Sequence, residues 1–170
     1  GYAEYDDCGV CDGDNSSCQD ACNMELLSNL QFDEGASDIT GFEQDGEEFA
    51  VVGLIEGDAA VFVNISDPEN PYEVGRINGT PSSWRDLKYW NRHVYIGTEA
   101  QDGVKVVSVD DPFNPQLVHI IEDFGSSHNI YVDTDGYLYV VGADEHDIWI
   151  YDLSNPETPV LVGTWNEEYL

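Results

Sequence analysis

The chain has 170 residues, of which 41% are apolar and 12% aromatic, enough to build the core of one ordinary domain with a small appendage and too many for a disordered polyanion. Against 35 Asp and Glu stand only 5 Lys and Arg, a net charge of -30, which argues against nucleic acid or an anionic membrane as a partner. No stretch approaches the length of a membrane-spanning apolar helix, so membrane insertion is not expected.

Carboxylates at this density repel one another unless divalent cations, salt or a cationic partner intervene, which points to a saline, calcium-containing exterior. The first segment, residues 1–23, fits that setting. It holds all four cysteines, Cys8, Cys11, Cys18 and Cys22, so a local cross-linked or metal-bound module is expected there. Zinc held by four thiolates is one reading, since Cys8 and Cys11 form a C-x2-C pair. The acidic surroundings favour disulfides instead, with three pairings open. Calcium takes six to eight oxygen ligands, and Asp12 and Asp14, with Asp7, Asn15 and Asp20, can supply them around Gly13. The spacing lacks the fixed glycine and terminal bidentate Glu of an EF-hand loop. Gly1 opens without a basic, apolar leader, and the chain is expected to be cut from something longer.

Residues 24–36 read as a lone outer strand over 24–32 followed by a linker. Beyond them the sequence repeats. The segments Asp67-Pro68-Glu69-Asn70-Pro71, Asp111-Pro112-Phe113-Asn114-Pro115 and Asn155-Pro156-Glu157-Thr158-Pro159 share one template, with the first prolines 44 residues apart both times. Before each lies a β-branched and aromatic run (60–66, 104–110, 148–154) and after each another (72–78, 116–122, 160–166), released from helix by the proline. Ser82-Ser83-Trp84 aligns with Ser126-Ser127-His128, and His93-Val94-Tyr95 with Tyr137-Leu138-Tyr139. Units at 37–80, 81–124 and 125–170 thus hold four short strands each. Such units are the mark of propeller blades, so an all-β fold of about three propeller-like, four-stranded blades is predicted, with a small disulfide-rich N-terminal segment. Three blades are too few for a closed ring, and the array is expected to be part of a larger propeller.

The residues Ser37-Asp38-Ile39-Thr40-Gly41-Phe42, Glu48-Phe49-Ala50-Val51-Val52-Gly53-Leu54, Ser82-Ser83-Trp84-Arg85-Asp86-Leu87 and Ser127-His128-Asn129-Ile130-Tyr131-Val132-Asp133 resemble the strand motifs of the bacterial LVIVD-repeat propellers, especially the extracellular choice-of-anchor B proteins. The resemblance covers residues 24–170 and implies a secreted or surface-displayed propeller with no well-defined activity. The run from Asp6 to Cys18 is similar to the Cys- and Asp-rich repeats of marine bacterial surface proteins and, distantly, to thrombospondin type 3 calcium repeats.

Polar residues cluster at the blade entrances: Arg85 and Asp86 in one unit, His128 and Asn129 one period later, and Glu99 in register nearby. If the first strand of each blade lines a central channel, these side chains converge on a ligand or metal there. The simpler reading is that Arg85 pairs with Asp86 or another acid and orders the blades. No nucleophile elbow, H-E-x-x-H helix or phosphate-cradling loop occurs, and no enzyme is expected. Sequons stand at Asn15, Asn64 and Asn78, the last in a turn and the most accessible. The sequence therefore predicts a non-catalytic extracellular or cell-surface module, calcium-stabilised, for adhesion or protein or glycan binding. Two alternatives are a filament or matrix subunit that self-associates through open blade edges, and a channel-site hydrolase using Asp86, Glu99 and His128.

Overall fold

A computed structural model of the chain describes residues 26–143 and 146–166. Among them, three separate four-stranded antiparallel sheets follow one another along the chain. The first contains β1 (Ala36–Gln44), β2 (Glu47–Leu54), β3 (Asp58–Asn64) and β4 (Tyr72–Asn78). The second contains β5 (Arg85–Trp90), β6 (His93–Thr98), β7 (Val104–Ser108) and β8 (Gln116–Ile121), and the third β9 (Asn129–Val132), β10 (Tyr137–Ala143), β11 (His146–Asp152) and β12 (Val160–Trp165). In each sheet the strands pair in chain order, which is the meander of a propeller blade. The expected all-β, blade-like fold is the fold found.

The repeated proline template has a physical reason that recurs three times. The side chains of Asp67, Asp111 and Asn155 each accept a hydrogen bond from the backbone N–H two residues on, at 3.1, 3.1 and 3.3 Å. Their carbonyls accept from the residue three on, at 3.0, 3.0 and 3.2 Å. Pro68, Pro112 and Pro156 preset the backbone angle of such a turn, and the second proline of each template starts the outer strand. A register shift follows at the same place in every blade, between Phe62 and Val63, Val106 and Val107, and Ile150 and Tyr151. Identical turn chemistry thus yields identical strand geometry.

The sheets stack through their faces. β1 packs against β5, and β5 against β9, so the first strand of each blade lies along a shared inner edge. Phe42, Phe49, Val51 and Phe62 of the first blade form one core with Leu87, Val94, Ile96 and Val107 of the second. Tyr95, Val104 and Val106 form the next with Ile130, Leu138, Val140 and Trp149 of the third. With sheets on both sides, every residue of β7 is buried, Lys105 and Ser108 included. Each large side chain so covered contributes about 1.5–3 kcal/mol. Where Gly53 faces β5, an added Cβ would lie 2.8 Å from Arg85 Cβ and 2.9 Å from Leu87 Cδ1. The sheets approach that closely only because the side chain is absent.

Two expectations are corrected. Residues 26–35 carry no strand, contrary to the outer strand read over 24–32. They lie instead over the outward face of the first blade, where Phe32 packs on Leu54, Val61 and Val63. Ser28 Oγ donates to Pro68 O at 2.7 Å, just as Tyr95 OH donates to Pro156 O at 2.9 Å between the second and third blades. The segment therefore occupies part of the place that a preceding blade takes elsewhere. The second correction concerns register. The β5–β6 hairpin turns on two residues, Asn91 and Arg92, both with positive φ, whereas β9–β10 uses three, ending at Gly136 with φ 83. The extra residue shifts the innermost strand by one, so Asp86 and Leu87 correspond in space to Asn129 and Ile130 rather than to the residues 44 further on. The Trp84 and His128 alignment is displaced accordingly.

Candidate functional site

The five blade-entrance residues divide into three that hold the blades together and two that face solvent. Arg85 is 1% exposed. Its Nε donates to Leu54 O at 2.9 Å, one terminal nitrogen to Thr98 Oγ1 at 2.6 Å and the other to Thr80 O at 2.6 Å. Burial pushes the guanidinium pKa down, opposed by the more distant charges of Asp102 and Glu34. Arg85 thus orders the first two blades, but through carbonyls and a hydroxyl, not through the expected pairing with Asp86.

Asp86 is 6% exposed and belongs to the next boundary. Its Oδ2 accepts from Ile130 N at 2.7 Å and from Asn129 Nδ2 at 3.1 Å, while Oδ1 pairs with Lys88 Nζ. One boundary earlier Asp38 Oδ2 accepts from Leu87 N at 2.8 Å, and Ser37 Oγ from Arg85 N at 2.9 Å. A carboxylate on one first strand therefore caps a backbone N–H on the next, twice over. Ser37 and Asp38 escaped the sequence reading, although aligning Asp38-Ile39 with Asp86-Leu87 would have found them. Both oxygens of Asp86 are engaged in these contacts.

Glu99 and His128 are exposed and joined, His128 Nδ1 lying 2.7 Å from Glu99 Oε1. The indole of Trp84, 39% exposed, stacks on the imidazole with centroids 5.0 Å apart and planes within 12°. The loops that carry the pair are fastened to each other: Ser127 N donates to Thr98 O at 2.7 Å, and Asp102 N and Gly103 N both donate to Gly125 O. The same two loops enclose a hollow of about 460 Å3 lined by Asp102, Glu122, Asp123, Phe124 and Gly125 among others. Asp102 accepts from Lys105 Nζ at 2.7 Å and Thr80 N at 2.9 Å. Partial burial pushes its pKa up, but these bonds, Lys105 first, outweigh it and hold the carboxyl below its ordinary value. Tyr151 OH donates to Asp123 Oδ2 at 2.9 Å, and burial with that bond pushes the phenol pKa up.

Among the described residues, no group of three or more His, Cys, Asp or Glu is arranged to hold a metal ion. The proposed calcium ligands Asp7, Asp12, Asp14, Asn15 and Asp20, and Cys8, Cys11, Cys18 and Cys22, lie outside the described residues. Of the sequons, Asn78 is exposed at the end of β4. Asn64 is 3% exposed, donates to Glu47 Oε2 and accepts from Ser66 N, so its amide is not available. Asn15 lies outside the described residues.

The third sheet, with its Asx turn, proline pair and outer strand, carries the whole repeat. Residues 125–167 match the LVIVD repeat. LVIVD repeats form β-propellers, in agreement with the three blade-like sheets seen here. The first and second blades share the turn, the bulge and the inter-blade bond with this LVIVD unit. No curated protein matches the chain.

Proposed function

We propose that the chain is a non-catalytic extracellular interaction module that binds a partner protein or glycan through the loops that meet at the boundary of the second and third blades. The observation that carries this reading is the exposed Trp84–His128–Glu99 group beside a hollow, on loops held rigid by backbone hydrogen bonds, while Arg85, Asp86 and Asn129 next to it are locked into the scaffold. A flat aromatic face with a carboxylate at its rim suits the C–H face of a pyranose or the stem and charge of a Lys or Arg. The net charge of -30 favours cationic partners through long-range attraction.

The same proposal places the protein outside the cell or at its surface, in the manner of the choice-of-anchor B proteins that its strand motifs resemble. Residues 1–23 then act as a thrombospondin type 3-like element, with Asp7, Asp12, Asp14, Asn15 and Asp20 serving calcium and the four cysteines forming disulfides. The clustering of cysteines and the excess of carboxylates support this part of the reading.

The test is binding of the full chain to an array of surface-derived oligosaccharides and to immobilised extracellular proteins, repeated with Trp84→Ala. Replacing the exposed indole is expected to weaken any binding at least about tenfold and to leave thermal unfolding almost unchanged. Binding that is indifferent to Trp84→Ala and His128→Ala, or turnover of an arrayed substrate, would refute the reading. Calorimetric titration with CaCl2 tests the N-terminal element, and heat of binding that survives Asp12→Ala with Asp14→Ala contradicts its assignment.

A further inference from the structure

The two blade boundaries inside the chain use the same positions with different chemistry. At the first, Phe49 of β2 meets Phe113 of the second blade's proline turn edge to face, with ring centroids 5.4 Å apart and planes at 78°. One 44-residue period later the same two positions carry His93, at the start of β6, and Glu157, in the third blade's proline turn. There His93 Nε2 lies 3.9 Å from Glu157 Oε1. An apolar contact at one boundary is thus an imidazole and a carboxylate at the other.

His93 is 4% exposed, and its Nδ1 lies 2.9 Å from Asn91 O. A carbonyl oxygen only accepts, so Nδ1 carries the proton and the neutral ring presents a bare lone pair at Nε2. That atom is buried and, among the described residues, has no hydrogen-bond partner. A buried acceptor without a donor, set beside a carboxylate, is unfavourable on both counts. The other charges around the ring are engaged elsewhere. Arg92, next to His93 in the chain, donates to Asp110 O at 3.4 Å and to Asp45 Oδ1 at 3.2 Å, towards the first blade. On β5, which pairs Trp90 with His93, Lys88 Nζ rests on Asp86. On β7, which pairs Ser108 with His93, Lys105 Nζ rests on Asp102, and in the loop that follows Asp111 accepts from Phe113 N. In the third blade Asp133 accepts from Tyr137 N and Asp152 from Ser154 N, each within its own turn. Glu157 is the carboxylate that reaches the ring, and its side chain, 51% exposed, has room to swing.

We infer that the boundary between the second and third blades is a pH-sensitive seam, in which a proton taken up from solvent at His93 Nε2 turns the bare acceptor into a donor and joins it to the Glu157 carboxylate. The contact closes from 3.9 Å to about 2.8 Å, the length of a charge-assisted hydrogen bond, by rotation of the exposed Glu157 side chain. Because it needs the proton, it adds to the hold on the third blade below the pH at which the imidazole titrates and is lost above it, and histidines change charge between about pH 5 and 8. Two residues along the strand, Tyr95 OH donates to Pro156 O at 2.9 Å and keeps the seam in register in both states. The first boundary, with Phe49 and Phe113, has nothing to titrate at these positions. The pair lies at the opposite end of β6 from Glu99 and does not depend on the loop site proposed above.

A double-mutant cycle of His93→Phe and Glu157→Gln, followed by chemical denaturation of the full chain, reads the coupling at about pH 5.5 and about pH 8, towards either end of that range. The expected coupling is about threefold in the unfolding constant at the lower pH, in keeping with a half-exposed pair, and none at the higher. Phe already fills the equivalent position 49, so His93→Phe is expected to fold. Nitrogen NMR of the unmodified chain needs no variant: Nε2 of His93 is expected to gain its proton as pH falls from about 8 to about 5, and that N–H to resist exchange with water more than it does in Glu157→Gln. Equal coupling at both pH values, no coupling at either, or an Nε2 that stays bare down to about pH 5 overturns the inference.

Discussion

Arg85 shows how little of a side chain's role can be read from its charge. In a chain with 5 basic residues among 35 acids, an arginine is expected beside a carboxylate, yet this one is surrounded by Leu54 O, Thr80 O and Thr98 Oγ1. Its removal would take the guanidinium donor from buried Leu54 O and from Thr80 O, while Thr98 Oγ1 would keep only the Ala100 N–H at 3.1 Å. Arg85→Met should therefore cost about 3 kcal/mol or more, measured by chemical denaturation, even though the apolar stem is replaced. Trp84, its neighbour, is the opposite case: exposed, bonded only through its backbone to Ser82, and free to meet a ligand with its ring. The sequence placed Arg85, Asp86, Glu99, His128 and Asn129 near one another, and the residues do gather at one end of the blades. It could not divide them into scaffold and surface, because burial depends on how closely two sheets approach, and nothing local in Trp84-Arg85-Asp86 carries that distance.

At the level of strands and turns the chain was far more legible. The proline template, the apolar runs and their spacing located the strands because turn chemistry and hydrophobic patterning act over a few residues. The lapses came where a long-range contact decides. Residues 26–32 have apolar content enough for a strand, but the outward face of the first blade recruits Phe32 as cover and no strand forms. The one-residue offset of β9 arises from a three-residue turn at Thr134-Asp135-Gly136 where the earlier hairpin has two. Two glycines separate the local from the long-range cause. Gly46, φ 87 in the β1–β2 turn, has open space around it, so Gly46→Ala should cost about 1 kcal/mol from backbone strain alone. Gly53 needs no unusual φ, and Gly53→Ala should cost about 1–3 kcal/mol because the methyl meets Arg85 and Leu87. Combining Gly53→Ala with Leu87→Ala should recover part of the crowding but none of the lost apolar burial. Melting curves of the variants test the contrast.

Across the whole molecule, charge and packing pull in opposite directions as pH changes. The carboxyls of Asp67, Asp102, Asp133 and Asp152 are all held below their ordinary value of 3.8 by hydrogen bonds, from Asn70, Lys105, the Tyr137 N–H and Ser154 respectively, with burial opposing the shift at Asp102. A depressed folded-state pKa contributes stability that is complete above the unfolded value and is lost as pH falls through the folded one, hence below 3.8. As pH falls, protonation of carboxylates reduces the net charge of -30 and relieves the repulsion that comes with it. Stability is therefore expected to rise from pH 7 to a maximum at about pH 4–5 and to fall beneath it. About 1 M salt should flatten the rise by screening the repulsion and leave the acid limb in place. A melting temperature that falls steadily from pH 7 would contradict the balance.

All of this depends on successive blades being fastened by a carboxylate on one first strand and an amide on the next. Residue-resolved hydrogen exchange of the folded chain, compared with Asp38→Ala and Asp86→Ala, addresses that arrangement most directly. The structure predicts that Asp38→Ala deprotects the Leu87 amide and spares Ile130, whereas Asp86→Ala does the reverse, with the strands around each amide still protected. Equal protection of both amides in wild type and variants, or loss spread evenly over all three sheets, would contradict it.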